Sequence, residues 1–233
     1  IAANELAHLL AEGHVGAGIT GFGFATFAIS WAWINFTWFA SAYDTDDVPY
    51  RLATLVQMAG VLVLAAGIPR AFDDGDYGVA ITGYVIMRVA LAAQWLRAAR
   101  GESGAGRTAA LRYAIGFVLV QVGWVVLVLL PHGAWAWGVG PLIAAEIAVP
   151  AFAEHRRRSP WHPHHIAERY GLLVIITLGE GVIGTVTVLT VLVHGEQGWT
   201  LDAALLMIAG IGLTFGLWWS YFVVPSAEVL HLH

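Results

Sequence analysis

Long apolar stretches recur along almost the whole chain, and they constrain the fold more than any other feature. Each has about 18 or more residues, which at a helical rise of about 1.5 Å per residue is enough to cross a bilayer core of roughly 30 Å. The sequence therefore predicts an all-α fold, a polytopic transmembrane helix bundle whose main partner is the lipid bilayer.

The apolar stretches predict seven full spans after a partial N-terminal helix, in a single transmembrane domain over residues 1–233. The predicted spans are 17–43, 50–69, 78–98, 111–131, 134–153, 167–193 and 201–223. The opening IAANELAHLLAEG looks like the second half of a hydrophobic helix, and the chain stops at HLH directly after a span. We therefore expect a fragment truncated at both ends.

The composition agrees with this interpretation. Of the 233 residues, 58% are hydrophobic and 12% are charged, about half the charged fraction of an ordinary soluble domain. The formal net charge of -5 is spread among the loops, so we expect no nucleic-acid partner. The chain has no cysteine, which excludes disulfides, thiolate metal sites and a cysteine nucleophile.

The arginines predict how the spans are oriented. One connection is flanked by Arg97, Arg100, Arg107 and Arg112, and another contains Arg156, Arg157 and Arg158. The connections PHGA and HGEQGWT contain none. By the positive-inside rule the arginine-rich connections are cytoplasmic, and alternation of the spans places DTDDVPYR on the same side.

Three ionisable residues fall at predicted bilayer depth: Arg88, Glu146 and Glu180. Such groups cost roughly 2.5–3.5 kcal/mol to insert at a helix centre, so they are usually paired and often functional. One interpretation is a static ion pair between Arg88 and one glutamate. The alternative is a shared site, in which two glutamates compete for one arginine and hold a proton between them.

A second group of polar residues, HPHHIAERY, begins the predicted helix that carries Glu180. It places His165, Glu168 and Arg169 at the predicted cytoplasmic mouth. His165 and Glu168 share a helix face, and both residue types bind divalent metals. Their spacing matches no zinc motif, so we predict no metal, with these two as the candidate ligands if one binds.

A third group lies in DTDDVPYR, where Asp44, Asp46 and Asp47 precede Pro49 and Arg51. Aspartates before a proline favour the start of a helix, because they cap exposed amides and interact well with the helix dipole. Capping is the first interpretation, with a salt bridge from Arg51 tying the connection to the helix. A cation vestibule at the cytoplasmic mouth is the functional alternative.

Glycine is abundant, at 27 residues. Gly212 and Gly216 are four apart, and Gly179, Gly181 and Gly184 surround Glu180. Small residues at such spacing let helices approach closely in lipid. We expect close helix packing at these positions.

Several chemistries are disfavoured. The chain has no lysine, which excludes a retinal-type Schiff base, and its histidines lie near span ends rather than at mid-depth, where haem ligands would be needed. No P-loop, nucleophile elbow or HExxH pattern is present. An enzyme acting on lipid would use His165 and Glu168 as acid and base, but no nucleophile accompanies them. We therefore expect no cofactor and disfavour an enzyme.

Two segments resemble a known family in their order and spacing: WAWINFTWFASAYDTDDVPYRLATLVQMAGVLVLAAGIPRAF and HHIAERYGLLVIITLGEGVI. They are similar to the bacterial low temperature requirement A (LtrA) family, and the resemblance spans nearly the whole chain. It implies a multi-pass protein of the bacterial cytoplasmic (inner) membrane with a link to growth in the cold. It supplies no catalytic residues. The family-like segments contain Asp44, Asp46, Asp47, Arg51, His165, Glu168, Arg169 and Glu180.

Two functions stay open from the sequence. The first is a proton- or ion-coupled transporter or channel-like protein that uses Arg88, Glu146 and Glu180, with a proton or small ion as substrate. The second is a structural or sensory membrane protein linked to cold growth, in which the same charges only hold helices together.

Overall fold

The computed structural model of the chain describes residues 2–155, 159–194 and 198–223. This part of the chain is helical, without strands, and its helices follow one another in the order predicted for the spans. The helices are α1 (Ala2–Ala11), α2 (Val15–Tyr43), α3 (Val48–Asp73), α4 (Gly78–Gly101), α5 (Gly104–Leu129), α6 (Trp135–Glu154), α7 (Pro163–His194) and α8 (Leu201–Phe222).

Helices α2 to α8 are each long and apolar enough to cross a membrane, while α1 has only 10 residues. The all-α fold and the seven spans after a partial first helix are thus confirmed. One boundary differs clearly: α5 begins at Gly104, not at 111, so Arg107 is helical. A helix need not end where its apolar stretch ends, because its backbone hydrogen bonds continue into the polar interface. The arginines predicted in the connection 156–158 lie outside the described residues.

The chain divides into two compact units, Ile1–Pro160 and Trp161–His233. In the first unit α4 is the most buried helix, and it packs against α3 and α5, while α6 packs against α5. Helix α2 contacts both α3 and α4. The second unit consists of α7 packed against α8. The single transmembrane domain stays a prediction.

Glycines allow the close contact between α3 and α4. A Cβ atom added to Gly83 would lie 2.6 Å from the carbonyl oxygen of Gly60, and one added to Gly60 would lie 2.8 Å from that of Gly83. A Cβ at Gly212 or Gly216 would meet no described atom within 4 Å. The expectation of close packing at those two glycines is therefore wrong for the described contacts. The close approach of α8 to α7 lies instead at Gly210, where an added Cβ atom would clash with the side chain of Thr185.

An aromatic cluster fills the first unit near the α2–α3 connection. The Trp95 ring stacks on Tyr113 with centroids 4.0 Å apart and meets Phe39 edge-on at 5.1 Å. All three are buried. The cluster holds α2, α4 and α5 together on one side of the buried charges described next.

Candidate functional site

Arg88 of α4 and Glu146 of α6 form an ion pair inside the first unit. Arg88 Nη2 lies 3.2 Å from Glu146 Oε2, and each side chain is only 1% exposed. Both residues lie in the interior of membrane-spanning helices, far from either end. A pair taken out of water to this extent needs further hydrogen bonds to be tolerated, because the desolvation of each ion is costly.

Two other helices supply hydrogen bonds to the carboxylate. Trp31 Nε1 of α2 donates to Glu146 Oε2 at 3.1 Å, and Gln121 Nε2 of α5 donates to Oε1 at 3.0 Å. Glu146 thus accepts from α2, α4 and α5 while standing on α6. Four helices meet at one carboxylate.

The guanidinium of Arg88 is held by aromatic rings as well. Its central carbon lies 4.7 Å from the centre of the Tyr84 ring and 5.0 Å from that of Phe117, within the range of cation–π attraction. Arg88 Nη2 also donates to the Tyr84 hydroxyl. Glu146 and the two aromatic rings therefore together offset the positive charge of the buried cation.

Some buried donor and acceptor atoms of this network have no hydrogen-bond partner among the described residues. Among the described residues, Arg88 Nε, Arg88 Nη1 and Gln121 Oε1 are buried and have no partner. Buried polar atoms are nearly always paired, because an unmade bond costs about 1–3 kcal/mol. The site therefore offers two donors on Arg88 and one acceptor beside Glu146.

Glu180, the third residue of the predicted group, lies near the middle of α7 in the second unit. It is exposed, whereas Glu146 is fully buried. Arg88 and Glu146 meet within the first unit, and a shared site that includes Glu180 stays a prediction.

The aspartates of the α2–α3 connection are paired with two different arginines. Asp47 caps α3 by accepting from the backbone N–H of Tyr50 at 3.0 Å. Arg97 of α4 donates to Asp47 through both terminal nitrogens, at 2.8 Å for Nη1. Arg51 forms a two-fold contact with Asp46 at 3.0 and 2.9 Å, with both side chains well exposed. Asp44 accepts from the backbone N–H of Asp46.

Electrostatics favour the ionised aspartates here. The hydrogen bond from Arg97, followed by the N–H of Tyr50, lowers the pKa of Asp47, and the hydrogen bond from Arg51 lowers that of Asp46. A lowered carboxyl pKa stabilises the folded state above the ordinary value, 3.8 for aspartate, and this contribution is lost as the pH falls through the lowered value.

We expect Arg97→Gln to destabilise the protein slightly at pH 7, because it removes a half-exposed tie between α4 and the start of α3. The thermal unfolding of the detergent-solubilised full-length protein measures this. The difference from wild type should shrink as the pH falls from 3.8 through the lowered pKa of Asp47, because Asp47 then becomes protonated in the folded state of both proteins. Arg51→Gln is the matched control for the exposed Asp46 pair, and a difference that grew on acidification would contradict the assignment.

Comparison with known proteins shows the family of this chain. The profile of the family described as Bacterial low temperature requirement A protein (LtrA) matches residues 1–233. The chain belongs to the LtrA family. It is 29% identical over 206 residues to "Uncharacterized protein RA0937" of Rhizobium meliloti (strain 1021), covering 84% of this chain and 48% of that protein. The LtrA chain thus spans about half the length of this curated relative. No solved structure matches it.

The predicted site residues at the histidine-rich start of α7 are exposed or half-buried in this LtrA chain. His165 and Glu168 are exposed, and Arg169 is half-buried. The rings of His162 and His165 lie 5.6 Å apart. Within the described ranges, no group of three or more histidine, cysteine, aspartate or glutamate side chains is placed to hold a metal ion. The metal hypothesis for His165 and Glu168 therefore gains no further ligand.

Sequence reasoning missed Trp31, Gln121 and Arg97 in the LtrA site. A signal existed for Gln121, because an amide in the middle of FVLVQVGW is costly to bury in lipid unless it is hydrogen-bonded. Trp31 gave no signal, since one tryptophan in a span is as consistent with lipid contact as with a hydrogen bond inside the bundle. Arg97 was assigned only to the positive-inside count.

Proposed function

We propose that the full-length LtrA protein is a proton- or ion-coupled transporter or channel-like protein of the bacterial cytoplasmic membrane, with Glu146 as its proton-carrying group. The observation that supports this most is the unpartnered acceptor Gln121 Oε1 beside the buried Glu146 carboxylate. A carboxylate that must take up and release a proton needs neighbours that satisfy it in both states.

The ionised state of Glu146 is satisfied by the three donors Trp31, Arg88 and Gln121. A protonated carboxyl group has an O–H to donate and needs an acceptor instead. A half-turn of the Gln121 amide exchanges its N–H for its oxygen at the same place, so one side chain serves both states. Gln121 thus lowers the cost of changing the charge of a group buried among four helices.

The other predicted residues keep subordinate roles in this proposal. Glu180 is a second carboxylate at mid-helix that would receive or supply the proton. The predicted cytoplasmic mouth consists of Asp44, Asp46, Asp47, Arg51, His165, Glu168 and Arg169. Protons or small ions are the proposed substrate class.

The experiment is proton flux in proteoliposomes that contain the full-length protein, driven by a pH difference and followed with a trapped pH-sensitive dye. We expect wild type to conduct protons above protein-free liposomes, and Glu146→Gln to return to the protein-free level. Glu180→Gln tests the second carboxylate in the same assay. Glu102→Gln, at the end of α4, is the matched control and should conduct as wild type does.

If Glu146→Gln does not fold, the proton flux of the wild-type protein alone tests the transport proposal. Absence of flux from wild type over a broad screen of pH and ions would overturn the transport proposal. Undiminished flux from a folded Glu146→Gln protein would overturn the role of Glu146.

The alternative, a structural or sensory membrane protein, is favoured by the observation that Glu146 joins four helices through its hydrogen bonds. A clamp of this kind serves its purpose without any change of protonation. It predicts that replacing the pair by packed apolar residues, in Arg88→Met with Glu146→Leu, leaves every activity of the protein intact. Transport predicts that the same replacement abolishes flux.

A further inference from the structure

A cavity of about 400 Å³ opens between α2, α3 and α4 in the first unit, beside the buried ion pair. This volume is within the range of small-molecule sites, about 300–1,000 Å³. Its walls are mostly hydrocarbon and aromatic, and include Trp33, Phe36, Met58, Leu62, Met87 and Leu91. We call this cavity the α2–α4 groove.

The polar side chains that line the α2–α4 groove are already occupied, with one exception. The Thr54 hydroxyl donates to the carbonyl oxygen of Tyr50 at 3.0 Å, and the Gln57 amide donates to Gln94 at 2.7 Å. Arg88 also lines the groove, and within the described structure its Nε and Nη1 have no partner. Arg88 is 2% exposed, so these donors lie away from bulk solvent. The groove therefore combines an apolar wall with the edge of a buried cation, two of whose donor atoms have no partner among the described residues.

An occupant that matches these features has a hydrocarbon body and one acceptor head. A carboxylate is the strongest acceptor for a guanidinium, because the hydrogen bond is assisted by opposite charges. An ammonium head is excluded because Arg88 is itself positively charged. A purely apolar occupant would leave both donors without a hydrogen-bond partner. The groove fits a hydrophobic monocarboxylate.

Such an anion would face a second carboxylate across the same arginine. Among the described residues of the first unit, the charged or titratable groups against Glu146 are Arg88 and Tyr84, both from α4, while α2 and α5 present the neutral Trp31 and Gln121. One guanidinium balances one carboxylate, and the excess negative charge would be buried at low dielectric. Uptake of one proton by the Glu146 carboxylate restores neutrality, and Gln121 Oε1 accepts the new O–H.

We propose that the α2–α4 groove binds a hydrophobic monocarboxylate through Arg88, and that Glu146 takes up one proton for each anion bound. This rests on the proposed function and deepens it, since it names the substrate class and the proton that accompanies it. The site carries zero net charge before binding, when it consists of the Arg88–Glu146 pair, and again after binding, when it holds the anion and one added proton. The loaded site is therefore suited to movement within a membrane.

The test is equilibrium binding of radiolabelled dodecanoate to the full-length protein in detergent, between pH 6 and 9. We expect saturable binding of one molecule per chain, with an affinity that falls about tenfold for each unit of pH, as uptake of one proton requires. In Glu146→Gln the binding should persist without this slope. Dodecanol, which has the same body and no charge, should bind more weakly and without a slope.

A pair of bulky substitutions tests the location without touching the ion pair. Met58→Trp fills the mouth of the groove, and Met58 is 58% exposed, so the fold should tolerate the change. Val56→Trp is the matched control, on an exposed part of α3 outside the groove. We expect Met58→Trp to abolish dodecanoate binding and Val56→Trp to preserve it.

The outcomes separate this inference from the proposed function. Proton flux that needs Glu146, without saturable dodecanoate binding by wild type, would overturn the groove and leave the proposed function standing. Dodecanoate binding with the pH slope but no flux would support the groove and overturn transport. Equal, pH-independent binding of dodecanol and dodecanoate would overturn the anion site, and binding unaffected by Met58→Trp would overturn its location.

Discussion

Arg88→Met should be the most damaging single substitution in the first unit, with a loss of about 3–5 kcal/mol of stability. It leaves Glu146 fully buried without a cation, and the lost cation–π contacts with Tyr84 and Phe117 add to the cost. The measurement is thermal or denaturant unfolding of the full-length protein in detergent, together with the yield of monodisperse protein.

Two further variants make this prediction specific. Arg97→Met makes the same change on the same helix at a half-exposed position and should cost far less. Adding Glu146→Leu to Arg88→Met should recover much of the stability, because the uncompensated charge is then gone. If Arg88→Met were no less stable than Arg97→Met, the buried pair would not have the energetic role assigned to it.

Gly83→Ala should separate α3 from α4. The added methyl group would lie 2.6 Å from the carbonyl oxygen of Gly60 and would also meet the backbone of Leu64, which cannot move aside as a flexible side chain can. Overpacking of this kind costs about 1–3 kcal/mol, more than the roughly 1 kcal/mol that alanine gains over glycine in a helix. We expect a clear fall of the melting temperature, measured in detergent.

Gly23→Ala is the control for this prediction. Gly23 lies in α2, and a Cβ atom there would meet no described atom within 4 Å. The same substitution should therefore be neutral or slightly stabilising, through helix propensity alone. A Gly83→Ala protein as stable as Gly23→Ala would show that α3 and α4 do not rely on the glycine contact.

Part of the site could be predicted from the sequence. Arg88 and Glu146 were identified because a charged side chain at bilayer depth is costly, and this cost depends only on position along a span. An ion pair between Arg88 and one glutamate was one of the two interpretations, but the sequence could not tell which glutamate takes part. Arg88 and Glu146 are 58 residues apart and stand on α4 and α6, which are not consecutive. Glu180 satisfied the same depth criterion, but the structure places it in the other unit.

The contacts of the α2–α3 connection likewise divide into local ones, which could be predicted from the sequence, and a long-range one, which could not. Its aspartates were expected to cap a helix and pair with Arg51, both local interactions, and Asp47 does cap α3 while Arg51 holds Asp46. The bond from Arg97 to Asp47 joins residues 50 apart and depends on how α4 stands beside α3. The contact between Gly60 and Gly83 is also long-range, because these glycines matter only where α3 and α4 cross.

The sequence by itself determined the all-α membrane fold and the seven spans, because hydrophobicity along the chain sets which segments enter lipid. Only the tertiary structure decided which faces meet, which charges pair and where a groove remains. The physical reason is that lipid is as apolar as the interior of the bundle. A spanning helix needs no polar outer face, so its sequence contains little information about which side turns inward.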